Sequence, residues 1–213
     1  FPSTAYGFES GGDPKRIPEL TYQKFKEFHR KHYHPSNSRL FLYGDGDTQS
    51  YLDFLQEKYL QDFEGIDIKT SIAYQRSFRK PKRKPMSYPV SSDESLEKKT
   101  YVLVGYKLDK AINHEHCLGF SILSHLLLGS SASPLRKALI TSELGSEVIG
   151  GGFDDNRADT MFAVGLKGTE LEHENEILAL IDSTLRELAE NGIEKDMILS
   201  AVNSIDFRLR EAN

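Results

Sequence analysis

A run of cations and prolines cuts this sequence into two. Arg76, Arg79, Lys80, Lys82, Arg83 and Lys84 stand close together, interrupted by Pro81 and followed by Pro85 and Pro89. Proline fixes the backbone and removes a hydrogen-bond donor, and neighbouring like charges repel. Such a segment favours an extended, solvated path over a packed element. The chain is therefore read as two folded portions, residues 1–67 and 99–213, joined by a basic Pro-rich linker over 68–98. A nucleic-acid contact or a localisation signal is the alternative for such a run. A solvated connector is preferred because the run lies between two globular patterns in a chain of net charge -5.

The first portion opens with a loop rich in Gly and Pro: Gly7, Gly11, Gly12, Pro14 and Pro18. Thr21 then stands at an N-cap position, where its hydroxyl accepts an orphan backbone N–H. Tyr22, Phe25, Phe28, His29 and His32 follow at helical spacing, predicting an amphipathic helix over 22–33 that His34-Pro35 terminates. Residues 39–43 carry no charge after Arg39 and read as a strand interior to a sheet. Gly44-Asp45-Gly46-Asp47 stops it, and Thr48 starts a helix with Tyr51, Phe54, Leu55, Tyr59 and Leu60 on its apolar face.

The second portion begins with alternation at Tyr101, Leu103 and Gly105 against Val102, Val104 and Tyr106, a strong strand signal. Asn113 caps a helix over 114–128. Pro134 opens another at its first position, where the missing N–H costs nothing; Ser133 is its expected cap and Gly145 its expected end. Residues 147–153 and 160–167 read as paired strands joined by a polar loop over 154–159. Ile177, Leu178, Ile181, Leu185 and Leu188 line one face of a helix over 174–189, and Met197, Ala201, Ile205 and Leu209 one face of a helix over 194–211. Strands alternating with helix pairs predict an α+β layered, antiparallel-rich sheet with helices packed on one face.

The search for chemistry is mostly negative. A zinc centre needs three or four N, O or S ligands converging at about 2.0–2.3 Å. Neither His-Glu-x-x-His nor its inverted form His-x-x-Glu-His is present: Ile112 stands three before Glu115-His116, and Thr169 three before Glu172-His173. His114 and His116 diverge around their helix and read as a polar helix start. His29 and His32 share a face, but no carboxylate or cysteine nearby completes a set, so a packing role is preferred. Ser130, Ser131 and Ser133 do not form a Gly-x-Ser-x-Gly elbow. Gly150-Gly151-Gly152 lacks the Lys-Ser/Thr of a phosphate loop and better suits a bulge or a close backbone approach. The single cysteine, Cys117, has no internal disulfide partner and reads as an inert core thiol. No apolar run nears the roughly 20 residues that span a bilayer.

The residues nevertheless carry a resemblance along nearly the whole chain. Tyr6-Gly7, Ser10-Gly11-Gly12-Asp13-Pro14, Ile17-Pro18-Glu19-Leu20-Thr21, Phe25 through Arg30, Tyr33-His34-Pro35-Ser36-Asn37-Ser38 and Tyr43-Gly44-Asp45 resemble one region of pitrilysin/insulinase-type zinc metallopeptidases, closest to the presequence-protease and falcilysin-like group. Leu126 through Gly129, Ala132 through Lys137, Ser142-Glu143-Leu144-Gly145, Gly165-Leu166-Lys167-Gly168 and 207–213 resemble a following region. The resemblance implies a pitrilysin-like (LuxS/metallohydrolase-like) fold. Residues 1–67 would be the C-terminal part of a first, catalytic-type domain without its zinc motif, and 99–213 the N-terminal part of a second, non-catalytic domain.

The resemblance also implies a four-domain parent enclosing a chamber. There one zinc acidifies a water and a glutamate serves as general base on unfolded peptides such as cleaved targeting presequences. The zinc ligands would precede Phe1 and the groups aiding the transition state would follow Asn213. Both ends are thus expected to lie inside a longer polypeptide, consistent with Phe1 in place of Met and a helical pattern continuing through 207–213. No residue here is assigned as catalytic, cofactor-binding or metal-binding. Zinc is expected in the parent and not in this segment. The expected partners are peptide substrates and the remaining domains of the same polypeptide, with no nucleic acid and no membrane. The resemblance points to the mitochondrial matrix or a plastid. Two other readings are a non-catalytic scaffold or core subunit of the same fold, and a binding module that uses the basic linker.

Overall fold

Alternating side chains on three neighbouring strands build the sheet that organises the longer of two compact units, Arg76–Asn213. A computed structural model describes residues 1–212. Strand β1 spans Thr100–Lys110, β2 Glu147–Asp154 and β3 Asp159–Thr169. The order is β1-β3-β2 with both pairings antiparallel. Val102 stands opposite Leu166, and Val104 opposite Val164. Because successive side chains alternate, these residues and Phe162 share one face.

Four helices complete this unit: α3 (His114–Leu128), α4 (Pro134–Thr141), α5 (Glu174–Asn191) and α6 (Lys195–Glu211). Leu127, Leu135, Leu139, Ile177 and Ile181 bring their apolar faces onto Val102, Phe162, Val164 and Leu166 to form the core. Leu135, Leu139, Ile177 and Ile181 are wholly buried. Each such side chain contributes about 2 kcal/mol of apolar transfer. The opposite sheet face has no helical cover among the described residues: Tyr101 and Leu103 remain 56% and 55% exposed. The fold is α+β with helices on one side, as the alternation of strands and helix pairs predicts.

The other unit, Phe1–Gln75, contains two helices, α1 (Tyr22–His32) and α2 (Thr48–Leu55). The Thr21 hydroxyl accepts from the Lys24 N–H, capping α1, and Asp47 caps α2 by accepting from the Ser50 N–H. The second helix runs on into a wider turn at Gln56–Leu60, where Gln61 N–H donates to Gln56 C=O. Thr4 and Gln75 are buried, and the Ser3 N–H donates to Gln75 Oε1 at 3.0 Å. The apolar face of α1 stays open, with Phe25 63% and Phe28 59% exposed.

Three local expectations change. Residues 39–43 form no strand; Leu40, Phe41, Leu42 and Tyr43 are all exposed. A strand exists only by pairing, and among the described residues none is paired with this segment. Helix α4 ends at Thr141 rather than at Gly145. The Thr141 and Ser142 hydroxyls donate to the Lys137, Ala138 and Leu139 carbonyls, and Glu143 turns to φ 56°. These hydroxyls offer the last carbonyls partners outside the helical ladder. Ser133 occupies the cap position of α4 but makes no cap bond. Its hydroxyl instead receives the Ser130 N–H and lies 3.4 Å from His125 C=O, closing the preceding loop. Asn213, the end of the helical reading, lies outside the described residues.

Candidate functional site

The seven histidines are scattered over both units rather than gathered. His29 stacks on Tyr33 with ring centroids 4.6 Å apart, and His32 lies 4.5 Å from the Phe28 ring, so the pair belongs to an aromatic ladder along α1. His34 Nδ1 accepts from the Ser36 N–H. His114 is exposed at the start of α3. His116 Nδ1 meets Asp109 Oδ2, and His125 Nδ1 meets the Arg208 guanidinium at 3.3 Å. His173 precedes α5, its Nδ1 enclosed without a hydrogen bond. Among the described residues no three His, Cys, Asp or Glu side chains gather into a set that would hold a metal ion. The donors of the described residues therefore do not fit a catalytic zinc, which requires three converging protein ligands.

The richest polar assembly sits where β1 gives way to α3. Asp109 accepts from the Lys110 N–H at 2.7 Å, from Asn113 Nδ2 at 2.8 Å and from His116. The Lys110 N–H and the His116 ring, in that order, hold the Asp109 carboxyl below the usual carboxylate range. Asn113 uses its other side-chain atom to accept the His116 N–H, capping α3. On β3, the Thr160 hydroxyl donates to the Asp109 backbone carbonyl across the sheet at 2.9 Å. Asp159 beside it is 1% exposed and is met by Lys107 Nζ at 3.1 Å. This lattice ties the end of β1 to the start of both α3 and β3. Its hydrogen bonds and ion pair brace this corner of the sheet unit.

Sequence reasoning misses this assembly because it leaves Asp159 in the polar loop. The structure makes Asp159 the first residue of β3, opposite Lys110. The available signal is Asp109 followed by Asn113 and His116 at cap spacing.

The other motifs take structural positions. Gly150, Gly151 and Gly152 have φ of 108°, 74° and 77° and coincide with a register shift between Ile149 and Gly152. A Cβ on Gly150 would stand 2.5 Å from Ala163 O, and one on Gly152 only 2.2 Å from Ser124 Oγ. The triplet is therefore both a bulge and a close approach of β2 to α3. The Ser124 hydroxyl accepts the Phe153 N–H at 3.0 Å, fixing that contact. Cys117 is buried, its thiol directed at the Lys110 and Ala111 carbonyls, and burial raises its pKa above the ordinary thiol value. A protonated, enclosed thiol is a poor nucleophile.

The basic segment is less free than a linker reading implies. The break between compact units falls after Gln75, so residues 76–98 belong with the sheet unit. Arg83 grips Glu174 with two hydrogen bonds, Nε to Oε1 at 2.6 Å and Nη2 to Oε2 at 2.7 Å. The Tyr88 hydroxyl donates to Lys99 C=O, and its ring meets Tyr101 edge-on at 5.6 Å.

Comparison with known proteins places this chain among peptidases. A family profile described as "Peptidase M16 inactive domain" matches residues 19–205. "Protein HypA" of Clostridium perfringens is 42% identical over all of this chain, which covers 22% of that protein. "Presequence protease 1, chloroplastic/mitochondrial" of Arabidopsis thaliana is also 42% identical over the whole chain, which covers 20% of it. "Presequence protease, mitochondrial" of Xenopus tropicalis is 35% identical over 98% of the chain and is again 20% covered. The chain thus spans about a fifth of the length of these relatives. A crystal structure of a protease from Helicobacter pylori shares the fold with TM-score 0.60 at 19% identity, over 93% of this chain and 47% of that one. On the extent of the profile match, the chain belongs to the M16 peptidase family, along residues that correspond to its inactive domain.

Proposed function

We propose that this chain is the supporting, non-catalytic part of a larger zinc metalloendopeptidase that degrades unfolded peptides, such as cleaved targeting presequences, inside a closed chamber. The observation that carries this reading is full-length similarity to proteins named presequence proteases, of which the chain covers only about a fifth. Residues 1–67 are the closing part of the catalytic-type domain and 99–213 the opening part of the next domain. Zinc and its ligands belong to other residues of the polypeptide, because no side-chain set in the described residues suits the metal. The polypeptide's remaining domains are the proposed cover for Phe25, Phe28, Phe41 and Tyr43, which the first unit leaves exposed.

Peptides rather than nucleic acids are the proposed partners, in keeping with a net charge of -5. No helix of the described residues is long and apolar enough to cross a membrane. The proposed compartment is mitochondrial or plastidial, as named for the Arabidopsis and Xenopus relatives; the clostridial relative carries no compartment in its name.

The test uses the longer polypeptide that carries this chain. It should cleave an unstructured fluorogenic peptide, lose that activity to a chelator, regain it with zinc, and leave a folded protein substrate intact. Cleavage indifferent to chelation, or equal cleavage of folded and unfolded substrates, refutes the reading.

A further inference from the structure

Asn191 is the last residue of α5, and Gly192 follows it at φ 79° and ψ -178°. Both are exposed, and nothing lies within 4 Å of where a Gly192 Cβ would stand. Asn191 alone among the asparagines of the sequence precedes a glycine. An asparagine side-chain amide can be attacked by the backbone nitrogen that follows it. Glycine favours this, because it has no β-carbon to shield its nitrogen and its free dihedrals let a five-membered ring close. In the folded chain that nitrogen is committed: the Gly192 N–H donates to Leu188 C=O at 3.0 Å, and Asn191 keeps its place in the helix. Ring closure requires this bond to open and Asn191 to leave the helical conformation. The last turn is built to open readily. Ala189, Glu190 and Asn191 are exposed, and Leu188 is only half-buried. The turn holds no cation, and Glu190 sets a negative charge at the negative end of the helix dipole. Helix ends of this kind fray at little cost.

We propose that Asn191-Gly192 is a site of spontaneous deamidation, gated by the last turn of α5. When that turn opens, the Gly192 nitrogen attacks Asn191 Cγ and gives up its proton to solvent. A bond from that nitrogen to Cγ forms, the bond from Cγ to Nδ2 breaks, and ammonia leaves a succinimide. Water then adds to either ring carbonyl, giving aspartate or isoaspartate at position 191; nothing is oxidised or reduced. Both products put a further negative charge beside Glu190 at the unfavourable end of α5. Isoaspartate also lengthens the backbone by one carbon, just before the connector 192–194 that leads into α6. Helix α6 reaches the core through the buried Ala201 and Ile205. Modification therefore loosens the joint between α5 and α6 as the protein ages.

The test ages the 213-residue chain in mildly alkaline buffer beside a synthetic peptide of residues 187–195, the fragment that trypsin releases around the site. Mass spectrometry of that fragment reads the conversion as a gain of one mass unit, and enzymatic methylation reads the isoaspartate. Asn191 should convert before any other asparagine, at about one-tenth the rate of the free peptide, the protection expected of a fraying helix end. Glu187→Lys replaces an exposed acid near the end of α5 with a cation. It should lower the ratio of chain rate to peptide rate about threefold. The aged chain should unfold at lower urea than the fresh chain, and at lower urea than Asn191→Asp, which adds the charge without the extra carbon. Equal rates in chain and peptide, or conversion of the chain only in urea that unfolds it, overturns the gate, as does a ratio that Glu187→Lys leaves unchanged. Equal urea midpoints for aged and fresh chains overturn the loosening. If Glu187→Lys fails to fold, the comparison of the unmodified chain with the peptide decides alone.

Discussion

Lys107 Nζ lies 3.1 Å from Asp159 Oδ1, at a carboxylate that is 1% exposed. Removing the cation takes the Lys107 charge away from a buried anion, which costs about 3 kcal/mol. Lys107→Met should therefore lower the urea midpoint sharply. Combining it with Asp159→Leu should recover most of the loss, because a buried ion pair is often replaceable by apolar side chains. Equal damage from the single and double variants would show that Asp159 matters for something other than its charge.

Two glycines on facing elements should respond in opposite directions to the same substitution. Gly152 has φ 77° and a methyl added there would sit 2.2 Å from Ser124 Oγ, so Gly152→Ala should destabilise by about 2 kcal/mol. Gly119 lies inside α3, is exposed and has nothing within 4 Å of an added Cβ. Gly119→Ala should stabilise by up to about 1 kcal/mol, the helix-propensity difference. Thermal unfolding of both variants checks the pair. A stabilising Gly152→Ala would refute the close approach of β2 to α3.

Acid should weaken the native state through two carboxylates. The Lys110 N–H and His116 depress Asp109, and the hydrogen bond from Arg83 depresses Glu174. A group whose folded pKa lies below its unfolded value contributes stability that is complete above the unfolded value, about pH 4, and lost as pH falls through the folded one. Asp109→Asn should thus reduce the urea midpoint at about pH 6, and the difference from the unmodified chain should shrink as pH falls below the ordinary carboxylate range of about 4. A difference independent of pH would mean that the carboxylate charge is not what stabilises this corner.

Much of the sheet unit is legible in the sequence because local signals and tertiary burial agree there. The Asn113 cap and the apolar run that follows give α3 its observed limits, and the Tyr101 to Tyr106 alternation places β1. The glycine triplet at 150–152 reads correctly as a bulge, since only glycine tolerates three successive positive φ values. Failures occur where the deciding partner is distant. Residues 39–43 have the composition of a buried strand, but strand pairing is a property of two segments, and among the described residues no segment pairs with them. The Ser133 hydroxyl satisfies a loop instead of a helix end, a choice that propensity does not encode. Arg83–Glu174 and Lys107–Asp159 join residues far apart in sequence, so neither pair leaves a spacing signature. Family membership is carried by motifs spread along the chain, while no spacing in this chain reveals a catalytic set.

On the proposed function, this chain supports hydrolysis without performing it. Turnover of an unstructured fluorogenic peptide by the purified 213-residue chain, measured with added zinc and again with a chelator, tests that most directly. The chain alone should show no chelator-sensitive turnover under conditions where the longer polypeptide that carries it is active. Zinc-dependent, chelator-sensitive cleavage by the isolated chain would contradict it.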